Sequence, residues 1–371
     1  MGRRELLLVV AFLVVGAIAF QVTAPATTST TRVGFGDIFK RWRREMAGAK
    51  AVAVANRSFE AAATTSTRRV RLEGFSGRLT VTGADGDTVS ATLSVQVGGE
   101  TQEEATAALP ALVTQWRVDD TEIVLEVRHP EEWRVQMRRV PAELTVTMPR
   151  RLGIQLDVDG GVATVSDIAG VTLDSGRTNV TLTRIEGTVD GEMSDGRLEV
   201  ASARALDVET NRTVVSAEGI REGASLQSRD GQIELRDVAG AIDLEVRRLR
   251  ARVVRPGAGV DVDGGDLTVD IEDLRGPLTV DANRSTITAT ATTITAGSIE
   301  TTDGALTLTL PQGAVVIDAE NEVGPITLPE PAEAGQREGL VERRTATYGD
   351  GGPKIRLRNK RGPIIVLRAS S

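Results

Sequence analysis

Residues 231–246 read GQIELRDVAGAIDLEV, and the spacing of their apolar positions decides the fold. Ile233 and Leu235 stand two apart, Val238 and Gly240 follow, and Ile242 and Leu244 again stand two apart. A period of two marks strands with a single inward face. The residues between the runs are turn formers that tolerate left-handed backbone. Residues 179–190, NVTLTRIEGTVD, repeat the pattern with Val180, Leu182, Ile185, Gly187 and Val189.

Outward from these segments the same grammar runs from Leu144 to Leu328. Its punctuation falls at Gly160-Gly161, Ser175-Gly176, Asp195-Gly196, Asn211-Arg212, Asp230-Gly231, Gly264-Gly265, Asn283-Arg284 and Asp303-Gly304. With one degenerate unit allowed near Arg248, the mean spacing is about 18 residues over about eight units. A sheet sandwich would show less regular loops and an aromatic core. Between Arg150 and Glu330 there is no Phe, Trp or Tyr. Small aliphatic side chains suit the narrow interior of a stacked array, so the pattern predicts a single-stranded parallel β-helix, or β-solenoid, over residues 150–371. In the stretch RRLRARVVRPGAG arginines replace a clear turn, and one coil there is expected to bulge.

Residues 58–149 are more varied and predict a β-rich N-terminal cap. TQEEATAALPALVTQW carries the signals of one short helix, with Thr101 as N-cap and Glu103 and Glu104 in its first turn. Strands centred on 123–127 and 144–148 follow. Near the other end EPAEAGQREGLVERR interrupts the repeat before KIRLRNKRGPIIVLR closes it.

The N-terminus sets the expected address. Leu6 to Phe20 is an unbroken apolar run behind Arg3 and Arg4, short for a membrane span but sufficient for a signal core or signal anchor. Residues 1–26 are therefore read as a membrane anchor or signal segment, with the main domain outside the cytoplasm, either held by a single pass or secreted after cleavage. Residues 27–57 are read as a polar tether followed by a basic amphipathic helix. In it Phe35, Ile38, Phe39, Trp42 and Met46 recur at helical spacing among Lys40, Arg41, Arg43 and Arg44. A helical linker packed on the folded domain is the alternative for this segment.

Composition removes much chemistry. The 371 residues contain no cysteine and one histidine, His129, which excludes disulfides, thiolate zinc sites and cysteine nucleophiles. His129, beside Glu131 and Glu132 in EVRHPEEW, reads as an exposed strand-end residue. A net charge of −8 argues against binding nucleic-acid phosphates, and no phosphate-cradling glycine loop occurs, so neither nucleic acid nor nucleotide is expected as a partner. The charged residues include 40 Arg against 4 Lys, with both signs alternating along the coils, as on a salt-bridged surface. The densest carboxylates lie in VDVDGGDLTVDIEDL: Asp261, Asp263, Asp266, Asp270, Glu272 and Asp273. Stacked coils could turn them into a calcium site or an acid–base pair, but their alternation with inward valines is that of a solvated face. No catalytic, cofactor-binding or metal-ligating residue is assigned.

The unit LTVTGADGDTV followed by TQEEATAAL, the strand into ELTVTMPRRLGIQLDVDGG, the segment TTDGALTLTLPQG and the final RNKRGPIIVL together resemble the bacterial β-strand-repeat "putative adhesin" family of unknown function, with its head-GIN-like surface proteins. The resemblance covers roughly residues 58–368. It implies a β-helix-like fold on the cell envelope and supplies no catalytic residues. The expected function is that of a non-enzymatic, membrane-anchored or exported adhesin or envelope scaffold, with an unknown envelope protein or glycan as partner. A polysaccharide-active β-helix enzyme using stacked carboxylates and an envelope stress-signalling partner are the alternatives.

Overall fold

The computed structural model describes residues 51–128, 142–333 and 335–369. The N-terminal apolar run, the basic segment as far as residue 50, and His129 lie outside the described residues. Among the described residues no helix is long and apolar enough to cross a membrane. The fold is all-β, with one short helix and many strands stacked in the manner of a solenoid.

The repeat is built from parallel pairs one coil apart. Gly153–Ser166 pairs with Gly170–Thr183, placing Leu156 against Leu173. Ala224–Arg236 pairs with Ile242–Val254, placing Leu226 against Leu244 and Leu235 against Val253. Each coil has a first and a second strand, so the stack shows a first and a second outward face. Ile242–Val254 shows how one sequence makes both. Ile242, Leu244 and Val246 point inward, Arg248 adopts a left-handed backbone (φ 52°), and the inward set resumes at Leu249, Ala251 and Val253. A single left-handed residue thus turns the chain and shifts the alternation by one. Rows of buried Val, Leu, Ile and Ala stack from coil to coil, each large aliphatic contributing about 1.5–3 kcal/mol relative to exposure.

Two details depart from expectation. The stretch around Arg248 does not bulge: its pairs run in unbroken register to the coils on both sides, because Arg248 and Arg255 occupy the left-handed corner positions that Asp or Gly fill elsewhere. Register shifts fall instead between Ile271 and Leu274 and, where Arg69–Ala84 pairs with Gly153–Ser166, between Glu73 and Gly77. Within the segment expected as tether and helix, residues 51–57 are strand. Ala51–Ala62 alternates the inward Ala53, Ala55, Phe59 and Ala61 with the exposed Val52, Val54, Asn56, Ser58 and Glu60, and pairs antiparallel along its whole length with Thr88–Gly99.

At both ends the layers leave sequence order. Arg69–Ala84 has Gly153–Ser166 on one side and, on the other, both Glu122–Arg128 and Glu143–Pro149. Outside these lie the antiparallel strands Val113–Val118 and Thr88–Gly99. The helix Gln102–Ala108 packs on this end, where Thr101 Oγ1 accepts from the Glu104 amide at 3.1 Å as the N-cap expected from sequence. At the C-terminal end Lys354–Arg361 lies between Gly297–Asp303 and Val315–Val323, while Val341–Tyr348 runs antiparallel outside the latter.

Candidate interaction surface

The two outward corners of the stack are columns of alternating charge. In one, Asp159, Arg177, Asp195, Arg212, Asp230, Arg248, Asp266, Arg284, Asp303 and Arg361 stand on successive layers. Each Arg forks onto the Asp of the preceding layer: Arg212 onto Asp195 at 2.5 and 2.6 Å, Arg248 onto Asp230 at 2.7 and 2.6 Å, Arg284 onto Asp266 at 2.6 and 2.7 Å. Arg177 grips Asp159 in the same way, and Arg361 grips Asp303. Every inner Arg also feels the Asp on its far side, so the pairs join into one column. From Arg177 to Arg284 these residues all have positive φ. Left-handed backbone costs a non-glycine residue on the order of 1 kcal/mol, and fork-to-carboxylate geometry offsets that strain.

The second corner carries Asp167, Arg184, Ser202, Gly219, Asp237, Arg255 and Asp273, also all at positive φ. Arg184 forks onto Asp167 at 2.7 and 2.6 Å, and Arg255 onto Asp237 at the same distances. The hydrogen bonds from Arg184 hold the Asp167 carboxyl down at about 2. Asp195, Asp230, Asp237 and Asp266 are likewise lowered, first of all by the hydrogen bonds from their arginines.

Between the corners the first face carries a row of acidic residues, with Arg229 and Arg247 outward beside it next to the first corner. Glu73, Asp157, Asp174, Glu192, Glu209, Gln227, Glu245, Asp263, Asp281 and Glu300 pair in consecutive register, one per layer. Adjacent layers lie about 4.8 Å apart, and like charges directly opposite one another destabilise a sheet. The inner members other than Gln227, from Asp157 to Asp281, are exposed and make no ion pair with any described residue. Beside this row, Asp190 faces Asp207 and Asp243 faces Asp261. Partial burial, then repulsion from Asp174 and Glu73, raises the Asp157 carboxyl above its ordinary value. Asp190 and Asp261 are raised by burial first and by their acidic neighbours after it. At its two ends the row meets arginines, Arg71 beside Glu73 and Arg358 beside Glu300. The second face is mixed, with Arg252 reaching Glu272 at 2.8 Å and Glu234 at 3.8 Å.

The six carboxylates singled out in sequence are dispersed by this geometry. Asp261 and Asp263 lie on the first face, Asp266 is clamped by Arg284, Asp270 and Glu272 lie on the second face, and Asp273 sits at the second corner. They form no convergent group, and among the described residues no set of three or more His, Cys, Asp or Glu could hold a metal. A cavity of about 20 Å³ lies between Leu274, Leu278, Ala291 and Leu308, apolar and no larger than a water molecule. The corner columns have a signal in the sequence, the alternation of Asp-Gly with Asn-Arg punctuation. It reads as turn chemistry until stacking shows that the two kinds of turn alternate because they pair.

These properties define a class: an all-β repeat protein whose distinctive chemistry lies on long outward rows. The chain belongs to the Toastrack DUF4097 family, which it matches over residues 119–366 and which agrees with the adhesin-like resemblance read from its motifs. No curated protein matches it. Among solved structures it is similar to a "putative cell adhesion protein" from Clostridium sporogenes, at 12% identity over 85% of this chain and 100% of that one, with a TM-score of 0.19. It is also similar to a "putative adhesin" from Bacteroides fragilis, at 13% identity over 85% of this chain and 97% of that one, with a TM-score of 0.21.

Proposed function

We propose that this is a non-enzymatic adhesin-like protein of the cell envelope, held there or exported by its N-terminal segment, whose first face docks a basic polypeptide surface. The varied N-terminal strands act as a cap on the stack in this reading. The observation that carries it is the unpaired carboxylate row. At the first corner this chain neutralises each Asp with an Arg, layer after layer, and here it leaves a carboxylate uncompensated on every inner layer but that of Gln227. A partner presenting Lys or Arg at a similar repeat would relieve that repulsion on binding, which is electrostatic complementarity supplying recognition and association rate.

The test uses the exported form of the chain, a synthetic Lys/Arg-rich peptide as probe and a Glu-rich peptide as control. Binding of the basic probe should weaken with salt and fall about tenfold or more in a triple variant Asp174→Asn, Glu192→Gln, Glu209→Gln. Equal binding by wild type and variant would sink the docking face. Turnover of any member of a polysaccharide panel, lost in Asp263→Ala with Asp266→Ala, would replace this reading with the enzymatic one. Cell fractionation with and without residues 1–26 tests the address. The protein is expected to leave the envelope fraction, or fail to be exported, without them.

A further inference from the structure

The C-terminal coil is inserted between two layers that precede it in sequence. Lys354–Arg361 pairs in parallel with Gly297–Asp303 below and Val315–Val323 above, placing Leu357 against both Ile299 and Ala319. Ile364–Arg368 does the same between Leu306–Leu310 and Ile326–Thr327. The two flanking layers share no backbone pairing of their own; every ladder bond between them passes through the inserted coil. The insert is basic and its neighbours are acidic. Lys354 reaches Asp318 at 2.8 Å above, while Arg361 reaches Asp303 at 2.6 Å and Arg358 reaches Glu300 at 3.6 Å below. Arg368 donates to the Gly313 carbonyl at 2.7 Å, on the short link between the flanking layers.

The flanking layers are also matched to each other. Ala319 and Asn321 point inward as Ile299 and Thr301 do, and each lies 20 residues beyond its counterpart, close to one coil of the array. With the insert withdrawn, residues 317–328 could settle by one layer onto 297–308, with Ala319, Asn321, Ile326 and Leu328 meeting the inward Ile299, Thr301, Leu306 and Leu308, so the ladder has a second arrangement open to it.

We propose that residues 354–368 form a releasable strap, which leaves and re-enters the stack as one unit and whose slot also accepts the same segment from a second copy of this chain. Release bares ladder edges on both flanking layers, and a bared edge is a template for strand addition. Exchange of an identical element between copies needs no new contacts.

The experiment uses the full chain, whose lack of cysteine allows one engineered pair. Ser298→Cys and Arg356→Cys stand opposite each other on outward positions of neighbouring strands, and oxidation should lock the strap. Hydrogen exchange read by mass spectrometry should show 354–368 opening together about tenfold or more faster than the central strands Ala224–Arg236 and Ile242–Val254. A labelled synthetic peptide of residues 353–369, standing in for the second copy's strap, should enter the wild-type and reduced proteins at the rate of that opening. It should be excluded from the oxidised one. The proposal is overturned if the outermost layer, 315–328 with 341–348, opens before 354–368 as in ordinary fraying, or if the reduced protein takes up no peptide.

Discussion

The corner columns and the acidic row are products of the same repeat, and they use it in opposite ways. A period of about 18 residues places one residue of each coil over the next, so any surface position becomes a stack. At the corners the chain alternates Asp with Arg and each stack closes on itself. On the first face it repeats Asp or Glu, and the stack is left with repulsion unbalanced. Stacking therefore amplifies whatever sign pattern the sequence supplies: alternation yields fastening, repetition yields a charged surface.

Substitutions can break or sharpen this contrast. The largest effect belongs to the buried rows that hold both surfaces in register. Leu235→Ala, at a fully buried inward position, should lower stability by about 3 kcal/mol in urea unfolding, with both surfaces losing order together. Next comes sign reversal at a corner. Asp230→Arg would set three arginines on consecutive layers, Arg212 to Arg248, and should lower the unfolding midpoint by less than the core truncation, with salt partly restoring it. On the acidic row the sign inverts: Asp157→Asn should raise stability by about 0.5 kcal/mol, and less in salt. The smallest effect completes an interrupted column. Ser202 and Gly219 stand between Arg184 and Asp237, both in left-handed backbone, where alternation calls for Asp and then Arg. A Cβ on Gly219 would meet nothing closer than 3.8 Å, so Ser202→Asp with Gly219→Arg should give a slight rise in midpoint, and neither change alone should match it.

Acid separates the two regions without mutation. Asp167 is held at about 2 and other corner carboxyls are lowered, so the stability they contribute is fully present above the ordinary carboxylate value of about 4 and is lost as pH falls toward 2. Asp157, Asp190 and Asp261 are shifted the other way, so their ionised forms penalise the fold and protonation removes that penalty first. Urea midpoints measured from neutral pH downward should hold level or rise until just above pH 4 and fall below it. A monotonic fall from neutrality would contradict the assignment of repulsion to the first face.

Several of these features are legible in single residues. Period-two runs such as Ile233 and Leu235 locate the strands, Thr101 locates the helix start, and the missing aromatics point to a narrow aliphatic core. The corner arginines are less legible. Arg248 and Arg255 look like a break in the pattern because arginine is not a turn former, and only their forks onto Asp230 and Asp237 show why left-handed backbone is tolerated there. The carboxylates of 261–273 look like one cluster because they are close in sequence. An outward-pointing strand residue is separated from its neighbours by a corner or a face, so closeness along the chain says little about closeness across the surface.

What the sequence determined by itself is local and periodic: strand alternation, coil length, turn positions, and the absence of thiol and near-absence of imidazole. These follow from side-chain volume, backbone tolerance and composition, each carried by a residue and its near neighbours. Tertiary structure alone decided which charges meet and in what order the layers lie. A residue's neighbour across the ladder is a whole coil away, and at the ends the coils interleave, as when Leu357 sits between Ile299 and Ala319. Cross-strand energies act between layers, and no local rule of the chain specifies which layer comes next.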